Sequence, residues 1–441
     1  MCAQARLRTR ASARSGRIAA VNGKPIALSA AQAQVVQAAG ELAGAGPGRE
    51  GAVETLALEQ ALGRTLAEDV AAAHALPPFD ASAMDGYALR AADLSAAGSS
   101  APVALSLCGE ARAGHPFAGT VQAGQAVVIS TGAMLPGGAD AVVRLEDARR
   151  EDRRVLFDRP VAPGSDVRRA GADVAAGELA LARGRRLAPV ELALLAALGH
   201  AHVRVARAPG VRLLATGDEL TSPGKRLGAG GIFESNSHAL AALAQLAGAK
   251  LLGREAARDE RELLAGALQR TLAADVAVIC GGVSVGPHDH VAAALGQLGA
   301  QKRFHGVALQ PGKPIWFGLY RSRTLVFGLP GNPVSALVGF VLFVGPALRR
   351  LLGASPFPRR LQAVLAEDYP KRPGRTLALR CTLRQEGERL IAAPTGAQGS
   401  HLLSSLLNAQ GLAMLPAERG AISAGELVEV EPLAPWLGWR W

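Results

Sequence analysis

Between about residues 205 and 350, short β-rich runs take turns with longer runs of helical period. No other feature narrows the possible folds so far. "VRLLAT" (211–216) gives way to "GDEL", and "SNSHALAALAQLAG" (235–248) has the Ser/Asn start and Gly stop of a capped helix. "KLLGREAA" (250–257) reads as a strand, and "DERELLAGALQRTLAA" (259–274) as a helix whose first-turn acids suit the helix dipole. "DVAVIC" (275–280) then runs into "GGVSVGPHDH" (281–290) and a further helix, and "TLVFGLP" (324–330) runs into "GNPVSALVGFVLF" (331–343). Repeated βα units of this kind predict a doubly wound α/β domain built on a parallel sheet.

The flanks have other rhythms. Residues 361–441 hold short alternating segments, "LALRCTL", "RLIAAP", "GLAMLP" and "LVEVEPL", between Gly, Pro and charged turns, the pattern of a small β domain. Residues 76–170 are also β-rich, with "PVALSLCGEA" and "QAVVIST". Helical stretches are expected in "VETLALEQALG" and "PVELALLAALG" on either side of that module. The expected division is therefore a basic disordered tail at 1–47, a linker domain from 48–75 and 169–208, an inserted β-rich domain at 76–168, the α/β domain at 209–356 and a C-terminal β domain at 357–441.

The net charge of +11 belongs largely to the first forty residues, where Arg6, Arg8, Arg10, Arg14, Arg17 and Lys24 meet no acid, leaving 11 − 6 = +5 for the rest. Such a segment reads as a disordered tail or, with its Arg and Ser, a transit peptide. The remaining excess suits anionic small molecules better than a nucleic-acid surface, which would need basic residues interleaved with aromatics. The longest apolar stretch, "VSALVGFVLFVGPAL" (334–348), falls short of the ~20 residues of a membrane span, so no membrane association is expected. Cys2, Cys108, Cys280 and Cys381 form no C-x-x-C pair, which points to a reducing, cytoplasmic compartment.

Ligands of parallel α/β sheets collect at the carboxyl ends of the strands. Here those ends carry "TGDEL", "ARD", "GGVSVGPHD" and "LPGNPVS". Glycine lets backbone N–H groups approach phosphate oxygens, and a helix N-terminus adds positive potential. The dinucleotide fingerprint and the Walker sequence are both absent. Asp218, Glu219, Asp259 and Asp289 are expected at one sheet edge, where they would repel a phosphate unless a hard cation such as Mg²⁺ lay between. Each acid taken singly reads as a helix cap. His288 and His290 share a face of a strand but not of a helix, and no third His or Cys is near in sequence, so a solvated turn is preferred over a metal site. Lys313, held between Gly312 and Pro314, is a candidate anion anchor. In "LPPFDASAMDGYALR" (76–90), Asp80, Ser82, Asp85 and Tyr87 crowd a loop without periodicity, and Thr131–Gly132 offers a hydroxyl and an N–H.

Seven segments in order, "PPFDASAMDGYALR", "STGAMLPGGADAVV", "ATGDEL", "GGVSVGPHD", "PGKP", "GLPGNPVSA" and "APTGAQGSHLLSS", resemble the molybdopterin molybdenumtransferases (molybdenum insertases, the MoeA family), whose eukaryotic relative is gephyrin's C-terminal region. The resemblance covers about residues 48–435. It implies an elongated homodimer and the insertion of molybdate into adenylylated molybdopterin, with Mg²⁺ required and AMP released. It further implies activity or Mg²⁺–pyrophosphate binding for Asp218, Glu219, Asp259 and Asp289. Gly282, Ser284 and Gly286 fall in the loop near the pterin–phosphate ligand, and Lys313, Pro314, Arg380 and Ser400 fall at oxyanion or phosphate positions. Ser82, Asp85 and Thr131 lie on the inserted domain, which in the family dimer faces the partner's α/β domain, and Asp173 matches another family acid. Other cofactor-biosynthesis proteins and acceptor molybdoenzymes are implied partners. Where some members carry lysines before P-G-K-P, this chain has Gly306 and Gln310, with His305, Arg303 or Lys302 as possible compensation. The alternatives are the pathway's adenylyltransferase, which lacks the inserted module and β tail, and a gephyrin-like scaffold, which would not need the four acids.

Overall fold

The computed structural model describes residues 24–44, 52–283 and 290–437. They form two compact units, one from residues up to Leu42, Pro209–Leu348 and Pro356 onward, the other from Ala43–Ala208 with Arg349–Ser355.

The first unit opens with helix α1 (Leu28–Gly44). The expected disordered tail is thus corrected for residues 24–44. Ala31, Val35 and Ala39 are fully buried, Gln32 Nε2 donates to Leu342 O at 3.1 Å, and Ile26 forms a parallel bridge with Val307. The physical reason is that the positive charge ends at Lys24, whereas Leu28–Gly44 has one charged residue, Glu41, and small apolar residues at helical spacing.

The α/β core follows as β1 (Gly210–Thr216), α2 (Asn236–Leu246), β2 (Lys250–Ala257), α3 (Arg261–Thr271), β3 (Val276–Cys280), α4 (Val291–Gln297), β4 (Ala300–His305), β5 (Trp316–Tyr320), β6 (Thr324–Leu329) and α5 (Pro333–Gly339). The sheet order is β2-β1-β3-β6-β5-β4. Every residue of β3 and β6 is buried, as central parallel strands covered on both faces require. Leu264, Leu268, Val291 and Leu295 of α3 and α4 pack with Leu214, Ile279 and Val326 of the sheet. The right-handed crossover rule puts α2 on the other face, where it meets α5. The sheet has one feature beyond the expected parallel pattern: β5 pairs antiparallel with both β4 and β6, so it alone runs against the other five strands. A tight turn with Arg321 and Ser322 at positive φ, rather than a crossover helix, joins β5 to β6.

Helix α5 runs on through a π-helical turn (Phe340–Val344) into Gly345–Leu351. The nineteen residues Pro333–Leu351 have the length and hydropathy of a membrane span, yet 83% of that window is buried within the protein, as in the core helix of a globular domain. Beyond it, β7 (Leu361–Leu365), β8 (Thr376–Glu386), β9 (Arg389–Pro394), β10 (Gly411–Leu415) and β11 (Leu427–Pro432) pair in the cycle β8-β9-β7-β11-β10-β8. The result is a closed barrel, which leaves no free edge.

In the second unit a six-stranded sheet runs in the order Ala141–Arg144, Gly86–Leu89, Gln125–Ile129, Val103–Ala111, Arg154–Phe157, Arg149–Glu151. Tyr87 meets Phe157 edge-on at 6.0 Å in its core. Pro189–Ala197 is the expected helix. Val53–Ala57 is not: it is a strand paired antiparallel with His202–Ala206, followed by one 3₁₀ turn. Its helical composition is overridden by a partner some 150 residues away, with Leu56 and Leu58 packed on Val203 and Val205.

Candidate functional site

The carboxyl ends of β1, β2, β3 and β6 open into a cavity of about 650 Å³, lined among others by Thr216, Glu219, Asn236, Asp259, Gly282 and His401. Strand β1 ends in Thr216-Gly217-Asp218-Glu219. The Glu219 carboxylate folds back over Gly217 so closely that a Cβ there would sit 2.5 Å from Oε2. Asp259, at the end of β2, receives its position from Asp218, whose Oδ1 accepts the Asp259 N–H at 3.1 Å. Burial first, then the charges of Asp218 and Glu219, push the Asp259 carboxyl above the usual carboxylate range. Asp259 Oδ1 is buried, and the Thr216 hydroxyl hydrogen-bonded to this carboxyl offsets part of the rise. The three acids therefore gather at one rim. Among the described residues no group of three or more His, Cys, Asp or Glu side chains meets closely enough to hold a metal ion, and Asp289 lies outside the described residues, as do Ser284, Gly286 and His288.

Strand β3 ends at Cys280, and the chain turns at once through Gly281 (φ +97°) and Gly282 (φ +61°). A Cβ on Gly281 would lie 2.3 Å from the Thr216 carbonyl oxygen, and one on Gly282 2.9 Å from Thr216 Oγ1. Glycine is required here both for the left-handed φ and for the close approach. His305 Nε2 donates to Val283 O at 2.8 Å, tying the far end of β4 to this turn.

Two helix N-termini expected to cradle phosphate are already filled from within the chain. At α2 the Ser237 N–H donates to Glu234 Oε1 at 2.7 Å and the Ser237 hydroxyl to Oε2, so Glu234 caps the helix in place of Ser235. At α5 the Val334 N–H donates to Ser400 O at 3.1 Å. Asn236 Nδ2 instead spans two elements, donating to Gly331 O at 2.6 Å and to Cys280 Sγ at 3.2 Å. Burial drives the Cys280 thiol up to about 12, so it stays protonated.

Pro314 lines the cavity, with the exposed Lys313 beside it. Ser400 Oγ accepts from Asn332 Nδ2 at 3.0 Å, which sets the neighbouring His401 at the cavity. Arg380 stands behind this loop. Its side chain is fully buried, donates to Ala397 O and Gly399 O at 3.2 Å each, and leaves Nε and Nη1 without partners among the described residues. Burial lowers its pKa. At the departure noted before P-G-K-P, Gly306 has φ +94° and its carbonyl accepts the Ile26 N–H at 3.0 Å.

In the second unit Asp85 and Thr131 meet directly. Asp85 Oδ1 accepts from Thr131 N at 2.7 Å and from Thr131 Oγ1 at 3.0 Å, with both residues exposed. Ser82 is buried and its hydroxyl donates to Met84 O at 2.6 Å, a local turn. Asp173 is exposed, and its N–H donates to Leu76 O. Asp80 organises the same loop region, accepting from Ala170 N at 2.8 Å and Arg169 Nη1 at 2.6 Å, which hold its carboxyl below the usual range. Sequence reasoning missed Thr216, Asn236, Asn332 and His401. Each stood inside a quoted segment, but hydroxyl, amide and lone imidazole carry no spacing signal of their own.

Three family models match the chain. "MoeA N-terminal region (domain I and II)" covers residues 26–199, "Probable molybdopterin binding domain" 212–350 and "MoeA C-terminal region (domain IV)" 362–433. The chain is 38% identical over 395 residues to the molybdopterin molybdenumtransferase of Haemophilus influenzae, covering 87% of this chain and 95% of that protein. It is 35% identical over 399 residues to that of Bacillus subtilis, with 89% and 93% covered. The crystal structure of the molybdopterin biosynthesis MoeA protein from Pyrococcus horikoshii is similar with a TM-score of 0.79 at 30% identity, covering 92% of this chain and 99% of that one.

Proposed function

The chain belongs to the MoeA family of molybdopterin molybdenumtransferases, and on that premise we propose that it inserts molybdate into adenylylated molybdopterin, releasing AMP. It is a transferase of molybdenum cofactor biosynthesis. The observation that carries the finer reading is the 650 Å³ cavity, where acid-bearing and glycine-bearing strand ends converge within residues 212–350.

Asp218, Glu219 and Asp259 offer the carboxylate oxygens that Mg²⁺ takes, but among the described residues the three do not close into a metal-holding group. With Asp289 added by resemblance, they would hold Mg²⁺. When bound, the ion supplies charge neutralisation between a pyrophosphate and the molybdate dianion. Glu219, exposed at the rim, orients the oxygen that attacks phosphorus. Gly281 and Gly282 keep the floor open for the phosphorylated ligand. Lys313 contributes positive charge at the rim, and Arg380 acts through the 397–400 loop, positioning Ser400 and His401. Asp85 and Thr131, fixed to each other, present one further polar pair on the inserted module. A cytoplasmic homodimer and the four-domain division with boundaries at residues 48, 76, 169, 209 and 357 complete the reading.

Incubating the purified protein with adenylylated molybdopterin, molybdate and Mg²⁺ should release AMP and yield cofactor that activates an apo-molybdoenzyme. Folded protein that releases no AMP under these conditions refutes the proposal.

A further inference from the structure

The N-terminal end of the described chain grips the loop that carries Lys313. The Ile26 N–H donates to Gly306 O at 3.0 Å, and the Ala308 N–H donates to Ile26 O at 2.8 Å, so Ile26 straddles Val307 in a parallel bridge. Val307 turns its own N–H to the other flank, as alternation along an extended chain requires, and donates to Lys313 O at 2.8 Å. The Gly306 N–H adds a bond to Ile315 O at 2.9 Å. Three short segments are thereby stitched side by side, with 306–308 in the middle, Ile26 on one flank and Lys313–Ile315 on the other.

The grip is firm because helix α1 follows it at once. Leu28 begins that helix, Ala31, Val35 and Ala39 are fully buried, and Gln32 ties it to Leu342 O. Gly306 shows why such a grip matters in this chain. Its φ of +94° suits glycine and strains any residue with a Cβ, so the turn that gives Ile26 its acceptor is no place for a lysine. Gln310 is uncharged, and Lys313 is the one cation between residues 306 and 315. Its side chain is exposed, so the backbone sets where its charge stands. A loop ordered before the ligand arrives spends less binding energy on being ordered by it.

Resting on the function proposed above, we infer that Ile26 is a positioning residue: segment 25–27 braces the 306–315 loop and so sets Lys313 for the incoming molybdate. Ile26 acts through Val307 and not by contact with the anion.

Molybdate alone is the probe, titrated calorimetrically into the full chain and its variants. Removing residues 1–23 deletes Arg6, Arg8, Arg10, Arg14 and Arg17 but leaves the brace, and Kd should stay at the full-length value. Removing residues 1–27 takes the brace and keeps α1, and Kd should rise roughly five- to thirtyfold, the factor carried by one or two net hydrogen bonds. Ile26→Pro deletes only the N–H given to Gly306 and should raise Kd roughly fivefold; it decides if the longer truncation does not fold. The Thr376 N–H still holds Ala308 O at 2.9 Å in both, so the loop loses a brace and not its fold. Lys313→Met supplies a readout that a merely structural role would not move: in that background Ile26→Pro should raise Kd no further. Additive losses overturn the inference, as do a Kd unchanged in Ile26→Pro and a full-length chain that binds no molybdate. So does the whole loss appearing on removal of residues 1–23, which would make the arginines its cause. Any of these in a protein that releases AMP in the insertion assay rejects this inference alone; failure to release AMP rejects the function itself.

Discussion

Replacing Gly281 by alanine tests the turn beneath the cavity, and the structure supplies its own control. Gly281 (φ +97°) and Gly299 (φ +89°) both have left-handed backbones, but a Cβ on Gly299 would meet nothing within 4 Å, whereas one on Gly281 would lie 2.3 Å from the Thr216 carbonyl oxygen. Gly299→Ala should therefore cost only the backbone term, roughly 1–2 kcal/mol. Gly281→Ala carries that cost plus roughly 1–3 kcal/mol for forcing apart packed backbone, because Thr216 is held in β1 opposite Ala257 of β2. The total is about 2–5 kcal/mol. Urea unfolding followed by tryptophan fluorescence reads the relevant unit, since Trp316, Trp436, Trp439 and Trp441 all lie outside residues 43–208 and 349–355. If the two alanine variants lose the same stability, the close approach of the turn to β1 is not what demands glycine, and the account of the cavity floor fails.

Three further substitutions separate roles. Glu219→Gln should lower the rate of AMP release by roughly 10²–10⁴ and leave the unfolding midpoint in place, because Glu219 is exposed; equal losses of both would make it structural. Thr131→Val removes one of two hydrogen bonds to Asp85 and should cost about 1 kcal/mol or less in thermal unfolding, with turnover restored by Thr131→Ser. Glu191 is held below its ordinary value of 4.5 first by the Arg185 guanidinium, at 2.7 and 2.9 Å, while the Ala188 N–H at 3.1 Å adds to the effect. A depressed carboxylate contributes stability above its unfolded value that is lost as pH falls through the folded one. Glu191→Gln should accordingly cost roughly 1 kcal/mol at neutral pH, modest because Arg185 is largely solvated, and flatten the loss of stability below pH 4.5 seen in acid titration of the wild type.

The βα rhythm was legible because central parallel strands are buried on both faces and so read as unbroken apolar runs, as "VAVIC" does. The acids at the strand ends were legible for a related reason: topology alone brings successive carboxyl ends to one rim. Val53–Ala57 was not legible, since its partner His202–Ala206 is remote and five residues carry too little pattern to choose a period. Helix α1 was hidden by charge counted over a window too wide for it. The capping of α2 by Glu234 rather than Ser235 turns on backbone geometry one residue off the expected position. Arg380 matched an oxyanion position, but its full burial shows only in three dimensions, where a long side chain reaches under a loop and not toward solvent.

The single strand that travels against its neighbours has a practical outcome. Each forward strand delivers one departing loop to the cavity mouth, but Trp316–Tyr320 delivers an arriving one, so the ten residues 306–315 enter the mouth from β4 and never leave by a helix. That is how Pro314, which precedes a strand, comes to share a wall with Gly282, which follows one. The hairpin at Arg321–Arg323 consequently emerges at the opposite end of the sheet, and a fluorophore or affinity handle spliced there would report on the α/β domain without crowding the ligand.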